Sequence, residues 1–309
     1  MMSNPIHIRM AGYGPPSTGF SKSLKFVGDR LEAQFGRDVR VEYIFNIMDH
    51  GHKAEDILTM VENGGITLGY QSSSYLTDRV PELGFVDLPF LFSSNAQARG
   101  AMDGALGEFL VRRTEERINY RILGWFENGF RHISNRLRPI HSPADMKAMK
   151  IRVLPSEIHR RTFELLGAVA MRMDLTEAIA MIKAGTLDAQ ENPLANTVTY
   201  GVHKFHRFHT LSYHFYISRP VFLHRPAFES WPPELKAALR TAVRDAVAYQ
   251  RELALEEHDA AREAIEAEGC EINELTSKEH DTFVAAVQPL LAEARTTYGD
   301  AMFKLVPKP

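Results

Sequence analysis

Cysteine is almost absent from this chain. The single Cys270 has no partner for an internal disulfide and no CxxC pattern around it, which favours a structural thiol. Neither sign of charge dominates, because 36 Lys and Arg residues stand against 39 Asp and Glu residues and give a net charge of −3. Since nucleic acids and anionic membrane surfaces bind basic patches, neither is predicted as a partner.

Long apolar runs are lacking as well. No stretch reaches the roughly 18 apolar residues that a membrane span needs. The chain begins with MMSNPIHIRMAG, which has no charged segment followed by an apolar one. Two interpretations follow: a cytoplasmic protein, or an exported one whose signal peptide is absent from this chain.

What the chain does contain is a regular alternation of strand and helix patterns. With 309 residues, 44% of them hydrophobic, it is long enough for two α/β units, and the alternation starts again after Gly129. The elements predicted for the first unit are strands at 6–11 and 39–45, helices at 20–35 and 53–63, a strand in ITLGYQ, a helix from about Asn95 to Arg117, and a strand in RILGWFE.

The C-terminal third has a different pattern. From Pro233 to Gly269 there is no internal proline or glycine, which predicts a helix of roughly 35 residues and about 50 Å. Such a length predicts a helix that runs along both units. A coiled coil is the alternative, but the apolar stripe is rich in alanine and keeps no sustained heptad. A further helix is predicted in TSKEHDTFVAAVQPLLAEARTTYG.

Three separated motifs occur in the middle of the chain: NGFRHISNR (128–136), HSPADMKAMKIRV (141–153) and MRMDLTEAIAMIKAGTLDAQENPLA (171–195). In order and near spacing they resemble the DctP-like solute-binding proteins of tripartite ATP-independent periplasmic (TRAP) transporters. The resemblance implies a two-lobed α/β fold of the periplasmic-binding-protein kind, with a hinge and a long C-terminal helix bridging both lobes. The lobes are predicted as 1–129 with 218–256, and 130–217 with 257–309.

The same resemblance implies a function. It predicts a periplasmic protein that captures a small organic acid and delivers it to a TRAP-type membrane permease, with no cofactor, no metal and no insertion of its own into the membrane. The alternative is an enzyme acting on small acids, a lyase or an isomerase. Such an enzyme would need a catalytic base within reach of the bound acid.

The stretch MKAMKIRVLPS contains the strongest candidate for a ligand contact. Arg152 alternates with Ile151 and Val153 in a predicted strand, so it is expected to be interior, where an unpaired charge is costly. A guanidinium presents parallel N–H donors that match a carboxylate, and lysine does not. In the family the arginine matching Arg152 forms a two-pronged salt bridge to the ligand carboxylate, and the positions matching Asn192 and Arg131 add further contacts.

Further contacts are predicted from loops and family positions. The loop after the third strand is expected to contribute a hydroxyl or amide, and its neighbours an apolar wall. Departures from the family pattern at GYGPPSTGF (12–20) and NIMDHGHK (46–53) leave the identity of the acid open. The remaining candidates are Gln71, Ser72, Ser73, Ser74, Phe90, Phe92, Arg172, Leu175 and Tyr213.

The chemistry of these candidates favours a hydroxylated acid, such as a sugar acid, over an aliphatic or aromatic 2-oxo acid, because polar groups left unsatisfied in a closed site are costly. A histidine cluster, His203, His206, His209 and His214, matches no familiar metal motif and is predicted to be structural or surface-exposed.

Overall fold

The computed structural model describes residues 5–308, which form a mixed α/β protein with nine strands. Alternating apolar residues place one or both faces of most strands in the interior. The strands are β1 (Ile6–Ala11), β2 (Val39–Ile44), β3 (Leu68–Tyr70), β4 (Tyr120–Asn135), β5 (Lys150–Val153), β6 (Val169–Arg172), β7 (Ala189–Asn192), β8 (Phe208–His224) and β9 (Glu271–Glu274).

The helices follow the predicted periodicity closely in the first third of the chain and along the C-terminal helix. In chain order they are α1 (Gly19–Phe35), α2 (Asp56–Glu62), α3 (Asn95–Asp103), α4 (Ala105–Arg117), α5 (Glu157–Leu165), α6 (Leu175–Lys183), α7 (Leu194–Thr199), α8 (Arg225–Ser230), α9 (Pro233–Ala267), α10 (Ser277–Ala286) and α11 (Gln288–Phe303). Helix α9 has 35 residues, the length that its uninterrupted pattern predicts.

Two predicted helices are each divided in the structure. The helix predicted from Asn95 to Arg117 is two helices, because Gly104 adopts an extended conformation between α3 and α4. The last predicted helix is likewise divided into α10 and α11 around Val287, with Pro289 in the first turn of α11. Proline favours the first turn of a helix, where its missing N–H leaves no hydrogen bond unmade, so it marks a new start here.

The chain divides into two compact units by its internal contacts. The first comprises the chain up to Ser72 with Val111–Glu127 and Ser218–Leu255, and the second comprises Ser73–Leu110, Asn128–Ile217 and the chain from Glu256. Strands β4 and β8 and helix α9 each have residues in both units. The units differ from the predicted lobes mainly at Ser73–Leu110, which the sequence assigned to the first lobe.

The first unit is built on strands β2, β1, β3 and the end of β8, in that order. Strand β1 pairs in parallel with β2 and β3, and β3 pairs antiparallel with β8. In the second unit the order is β4, β7, β5 and β6, with β9 beside β8. Strand β7 is antiparallel to β4 and parallel to β5, which is also parallel to β6.

Packing explains why Ser73–Leu110 belongs to the second unit. Asp87 lies fully buried there, with its carboxylate 3.5 Å from the His159 imidazole of α5. Tyr75 and Phe90 pack against an apolar cluster that includes Ile151, Phe163 and Phe215. Those buried contacts are non-local in sequence, which is why the strand and helix pattern did not indicate them.

Candidate functional site

Arg152 lies in β5 and is 1% exposed. Its Nε donates to the carbonyl of Met173 at 3.1 Å, and its Nη2 donates to the Tyr75 hydroxyl at 3.1 Å. Within residues 5–308 the guanidinium makes no ion pair with a carboxylate. A buried guanidinium with neutral acceptors alone is incompletely compensated, so it is suited to an anion from outside the chain.

The Tyr75 hydroxyl fixes one end of this guanidinium. It accepts from Arg152 and from the Leu175 backbone N–H at 3.2 Å, and it lies 3.4 Å from the Asp174 carboxylate, to which it can donate. Asp174 in turn caps α6 by accepting from the Thr176 N–H at 2.8 Å. The start of α6 therefore holds Tyr75, and Tyr75 orients Arg152.

Strand register brings Asn192 onto the face of the sheet that carries Arg152. Arg152 is paired with Gln190, so their side chains leave the sheet on one face, and Asn192 is two residues further along the same strand. The Asn192 amide donates to the Gln190 side-chain oxygen at 3.2 Å, and Asn192 is 4% exposed. The structure thus brings two of the predicted ligand contacts together.

Two neighbouring amides were missed by the sequence analysis. Asn196 Nδ2 donates to the Asn192 side-chain oxygen at 3.2 Å and to the Asn128 oxygen at 3.0 Å. The Asn128 Nδ2 is buried and has no hydrogen-bond acceptor among the described residues. Asn128 opens the NGFRHISNR motif, so the motif was a signal for this residue as well as for Arg131.

Arg131 has surroundings unlike those of Arg152. Its Nε and Nη2 both bind the Glu191 carboxylate, and the pair is 1% and 0% exposed. Burial tends to raise the pKa of Glu191, but the charge of Arg131 and hydrogen bonds from His214 and Arg131 hold that pKa well below its usual range. The pair is therefore ionised and neutral overall. A ligand contact by Arg131 stays a prediction and would use its remaining nitrogen, Nη1.

Arg172, at the end of β6, also has an internal partner. Its Nη2 lies 2.8 Å from the Asp78 carboxylate and its Nη1 lies 3.7 Å from that of Glu157. The Arg172 side chain is 29% exposed and that of Asp78 is 71% exposed, so water reaches this pair. The structure therefore shows Arg172 in a partly solvated ion pair, and its predicted ligand contact is untested.

The predicted loop contacts are spread over the two units. Gln71 belongs to the first unit, where its amide donates to the Ala54 carbonyl at 2.8 Å and its oxygen accepts from the Ser72 N–H at 2.9 Å. Ser74 belongs to the second unit and donates to Asp87 at 2.6 Å. Ser72 and Ser73 are both buried, and the Ser73 hydroxyl has no hydrogen-bond partner among the described residues.

The apolar and aromatic candidates also differ in exposure. Leu175 is 5% exposed beside Tyr75, whereas Phe90 is half-buried with its ring 4.9 Å from that of His280. Phe92 is 5% exposed, and its ring contacts Tyr216. Tyr213 is 38% exposed and lines a surface groove with Leu211, Glu274, Leu275, Ser277, His280 and Asp281.

A comparison with protein families decides which group this chain belongs to. Residues 13–297 match the model of bacterial extracellular solute-binding proteins, family 7, which is named DctP. The chain belongs to that family. The predicted resemblance to the DctP-like solute-binding proteins of TRAP transporters is confirmed, and so is the prediction of a binding protein, because the family consists of solute-binding proteins and not of enzymes.

Individual members of the DctP family are distant in sequence. A solute-binding protein of Verminephrobacter eiseniae is 29% identical over 277 residues, covering 89% of this chain and 81% of that protein. The 2,3-diketo-L-gulonate-binding periplasmic protein of Escherichia coli is 28% identical over 219 residues, covering 71% of this chain and 66% of that protein.

A solved DctP-family structure shows the same fold. The sugar acid binding protein of Advenella mimigardefordensis, in complex with galactonate, superposes with a TM-score of 0.92 at 23% identity, covering 98% of this chain and 97% of that one. The two-lobed α/β fold of the solute-binding proteins is therefore confirmed. At this identity the similarity establishes the fold alone.

The structure also bears on a metal site, on the histidine cluster and on a membrane span. Within residues 5–308 no group of three or more His, Cys, Asp or Glu side chains is arranged to hold a metal ion. The four clustered histidines are all buried, so they are core residues and not surface ones. In the same range, no helix has both the length and the apolar composition of a membrane span.

One buried carboxyl has an altered pKa. Burial raises the pKa of Asp87 to about 7, against hydrogen bonds from Ser156 and Ser74 that lower it. Burial also lowers the pKa of the neighbouring His159 to about 3. Both side chains are 0% exposed, so neither can reach a substrate as a base. This pair therefore belongs to the core of the second unit.

Proposed function

We propose that this protein captures a small organic acid by its carboxylate, with Arg152 and Asn192 as the principal contacts, and delivers it to a TRAP-type membrane permease. The observation that supports the proposal is the state of Arg152, which is buried without a carboxylate partner among the described residues. A carboxylate from the solute would supply the missing charge through a charge-assisted, two-pronged contact.

The neighbouring groups support a hydroxylated acid. The Asn128 Nδ2 and the Ser73 hydroxyl are buried without partners among residues 5–308, and each can bind a solute hydroxyl. An apolar solute would leave both groups unsatisfied. The names of two relatives agree, since one binds 2,3-diketo-L-gulonate and another was solved with galactonate. A sugar acid or short hydroxy acid is therefore proposed ahead of an apolar 2-oxo acid.

A ligand screen with one variant tests this function. Thermal shift over aldonates, uronates, hydroxy acids, 2-oxo acids and dicarboxylates should identify a stabilising acid, because ligand at 100 times its Kd stabilises the folded state by about 2.7 kcal/mol. Arg152→Ala should abolish that shift, whereas Arg160→Ala, which removes an exposed arginine of α5, should keep it. Unchanged calorimetric affinity in Arg152→Ala would overturn the proposal.

Delivery to a permease and a periplasmic location complete the proposal. Both are supported by membership in a family of extracellular solute-binding proteins. Uptake of the identified acid by cells that lack the chain should be restored by the wild type and not by Arg152→Ala, and the protein should be released by osmotic shock. Full uptake in the absence of the chain would argue against the delivery role.

We further propose that two lobes move as bodies when the acid binds, with the predicted bounds 1–129 with 218–256 and 130–217 with 257–309 except that Ser73–Leu110 moves with the second lobe, against which it packs. Hinge closure is a common response of two-lobed binding proteins to their ligands. Small-angle scattering with and without saturating acid should show a smaller radius of gyration in the bound state. The same distance distribution in both states would contradict closure.

A further inference from the structure

A second buried arginine without a carboxylate partner among the described residues lies in the first unit. Arg219, in β8, is 3% exposed, and its Nε is buried without a hydrogen-bond acceptor. Within residues 5–308 the side chain makes no hydrogen bond and no ion pair. By contrast, Arg225 of the same unit donates to the carbonyl groups of Tyr120, Glu115 and Ile118. The partly buried Arg225 thus has polar acceptors, whereas the buried Arg219 has none among the described residues.

Three aromatic rings surround the Arg219 guanidinium. Its central carbon lies 4.1 Å from the centroid of Phe20, 5.0 Å from that of Tyr13 and 5.8 Å from that of Tyr70. The rings also pack on one another, with the Tyr70 centroid 5.1 Å from Phe20 and 5.3 Å from Tyr13. We call Tyr13, Phe20 and Tyr70 the aromatic cage.

The backbone holds the aromatic cage in place. Tyr13 forms a β-bridge with Asn46, and the Gly12 N–H donates to the Ile44 carbonyl at 3.1 Å. A Cβ at Gly12 would lie 2.6 Å from the Tyr70 hydroxyl oxygen, so only glycine allows Tyr70 its position. The unusual segment GYGPPSTGF thus supplies two rings of the cage and the glycine that seats the third.

The cage alone does not balance the charge. Cation–π contacts contribute about 0.5–2 kcal/mol each, whereas removing a charged group from water costs several kcal/mol even after relaxation. Phe20 is the second residue of α1, whose first turn carries partial positive charge and contains no acidic side chain. Both features leave the cage positive, which favours an anion beside Arg219.

We propose that Arg219 is a second carboxylate-binding group of this protein, held by the aromatic cage of the first unit. This inference rests on the proposed function, because it assigns a further contact to acid binding. A carboxylate suits the site, since one guanidinium fork matches one carboxylate in geometry and charge. That carboxylate belongs to a separate acid molecule bound at the first unit.

The test uses pairs of acids that differ at one terminal carbon: galactonate with galactarate, gluconate with glucarate, and butyrate with succinate. Calorimetry on the wild type gives the affinity and the stoichiometry for both members of each pair. The variant is Arg219→Gln, and its control is Arg240→Gln, which removes an exposed arginine stacked on Phe228 in the same unit. Arg152→Ala is measured in parallel.

The wild type should bind two acid molecules per chain, and Arg219→Gln should bind one. The unliganded variant should unfold at the same temperature as wild type or above it, since it no longer buries a lone charge. Loss of one bound acid in Arg219→Gln supports the proposal.

Wild-type affinity and stoichiometry in Arg219→Gln, with a lowered unfolding temperature, would overturn the inference and make Arg219 a packing residue of the cage. In that case binding would still depend on Arg152, so the proposed function would survive. If binding is unchanged in Arg152→Ala as well, or if none of the acids binds the wild type, the proposed function fails together with the role of Arg219.

Discussion

Arg131 and Arg152 are both buried in the second unit, yet their guanidinium groups face different partners. Arg131 is bound by the Glu191 carboxylate, whereas Arg152 has the Met173 carbonyl and the Tyr75 hydroxyl. A buried charge that already has its counterion forms an ion pair within the fold. Removing one partner of that pair leaves the other charge buried and uncompensated. A buried charge without one can take a counterion from solution. Burial alone therefore does not distinguish the two guanidinium groups, and the presence of an internal carboxylate does.

The largest expected effect comes from breaking the Arg131 pair. Glu191→Ala leaves Arg131 buried without its carboxylate, which should lower the free energy of unfolding by about 3–5 kcal/mol. Urea unfolding of the unliganded protein measures this. The double variant Arg131→Met/Glu191→Leu should recover most of the loss, because it removes both charges. A single variant that costs less than 1 kcal/mol would show that Glu191 does not neutralise Arg131.

Buried histidines that remain neutral are a further kind of buried group, to be set beside the two charged arginines. Burial, followed by the charge of His209, lowers the pKa of His206 to about 3, and burial lowers that of His209 to about 4. Below pH 6.5 the unfolded chain protonates both histidines and the folded chain does not, so stability falls as the pH falls from about 6.5 toward 4.

Substituting one histidine isolates this effect. His209→Gln should reduce the loss of stability between pH 6.5 and pH 5 by about 2 kcal/mol, since one pKa unit corresponds to 1.36 kcal/mol. Asp87 acts in the opposite direction, because its raised pKa adds stability as the pH falls below about 7, but it is common to both proteins. Parallel pH profiles of the unfolding free energy would refute the assignment.

The third prediction concerns the shape of the Arg152 contact. Arg152→Lys keeps the charge but not the fork, so we expect the affinity for the acid to fall at least tenfold, or about 1.4 kcal/mol. Unfolding of the unliganded variant should change little, because no internal ion pair is lost. Calorimetry measures this affinity, with Arg160→Lys as the control. Wild-type affinity in Arg152→Lys would show that the contact is not two-pronged.

The sequence predicted most of the secondary structure and one feature of the site very well. Periodicity located β1, α1, β2 and α9, and the alternation in KIRV placed Arg152 in the interior. What it did not indicate is the partner of each arginine. Glu191 is 60 positions from Arg131, and Asp78 is 94 positions from Arg172. The unpartnered state of Arg219 likewise becomes visible only when every neighbouring acceptor is known.

The smallest expected effect is at Arg172, which has carboxylate partners as Arg131 does, but in a pair that water reaches. Exposed ion pairs contribute about 0–1 kcal/mol, so Arg172→Ala should lower the free energy of unfolding by less than 1 kcal/mol. Because Asp78 and Glu157 already face its guanidinium, we expect the acid affinity to stay within threefold of wild type. Arg161→Ala, which removes a comparable exposed pair with Glu293, is the matched control. An affinity loss of tenfold or more in Arg172→Ala alone would show that the arginine exchanges Asp78 for the solute.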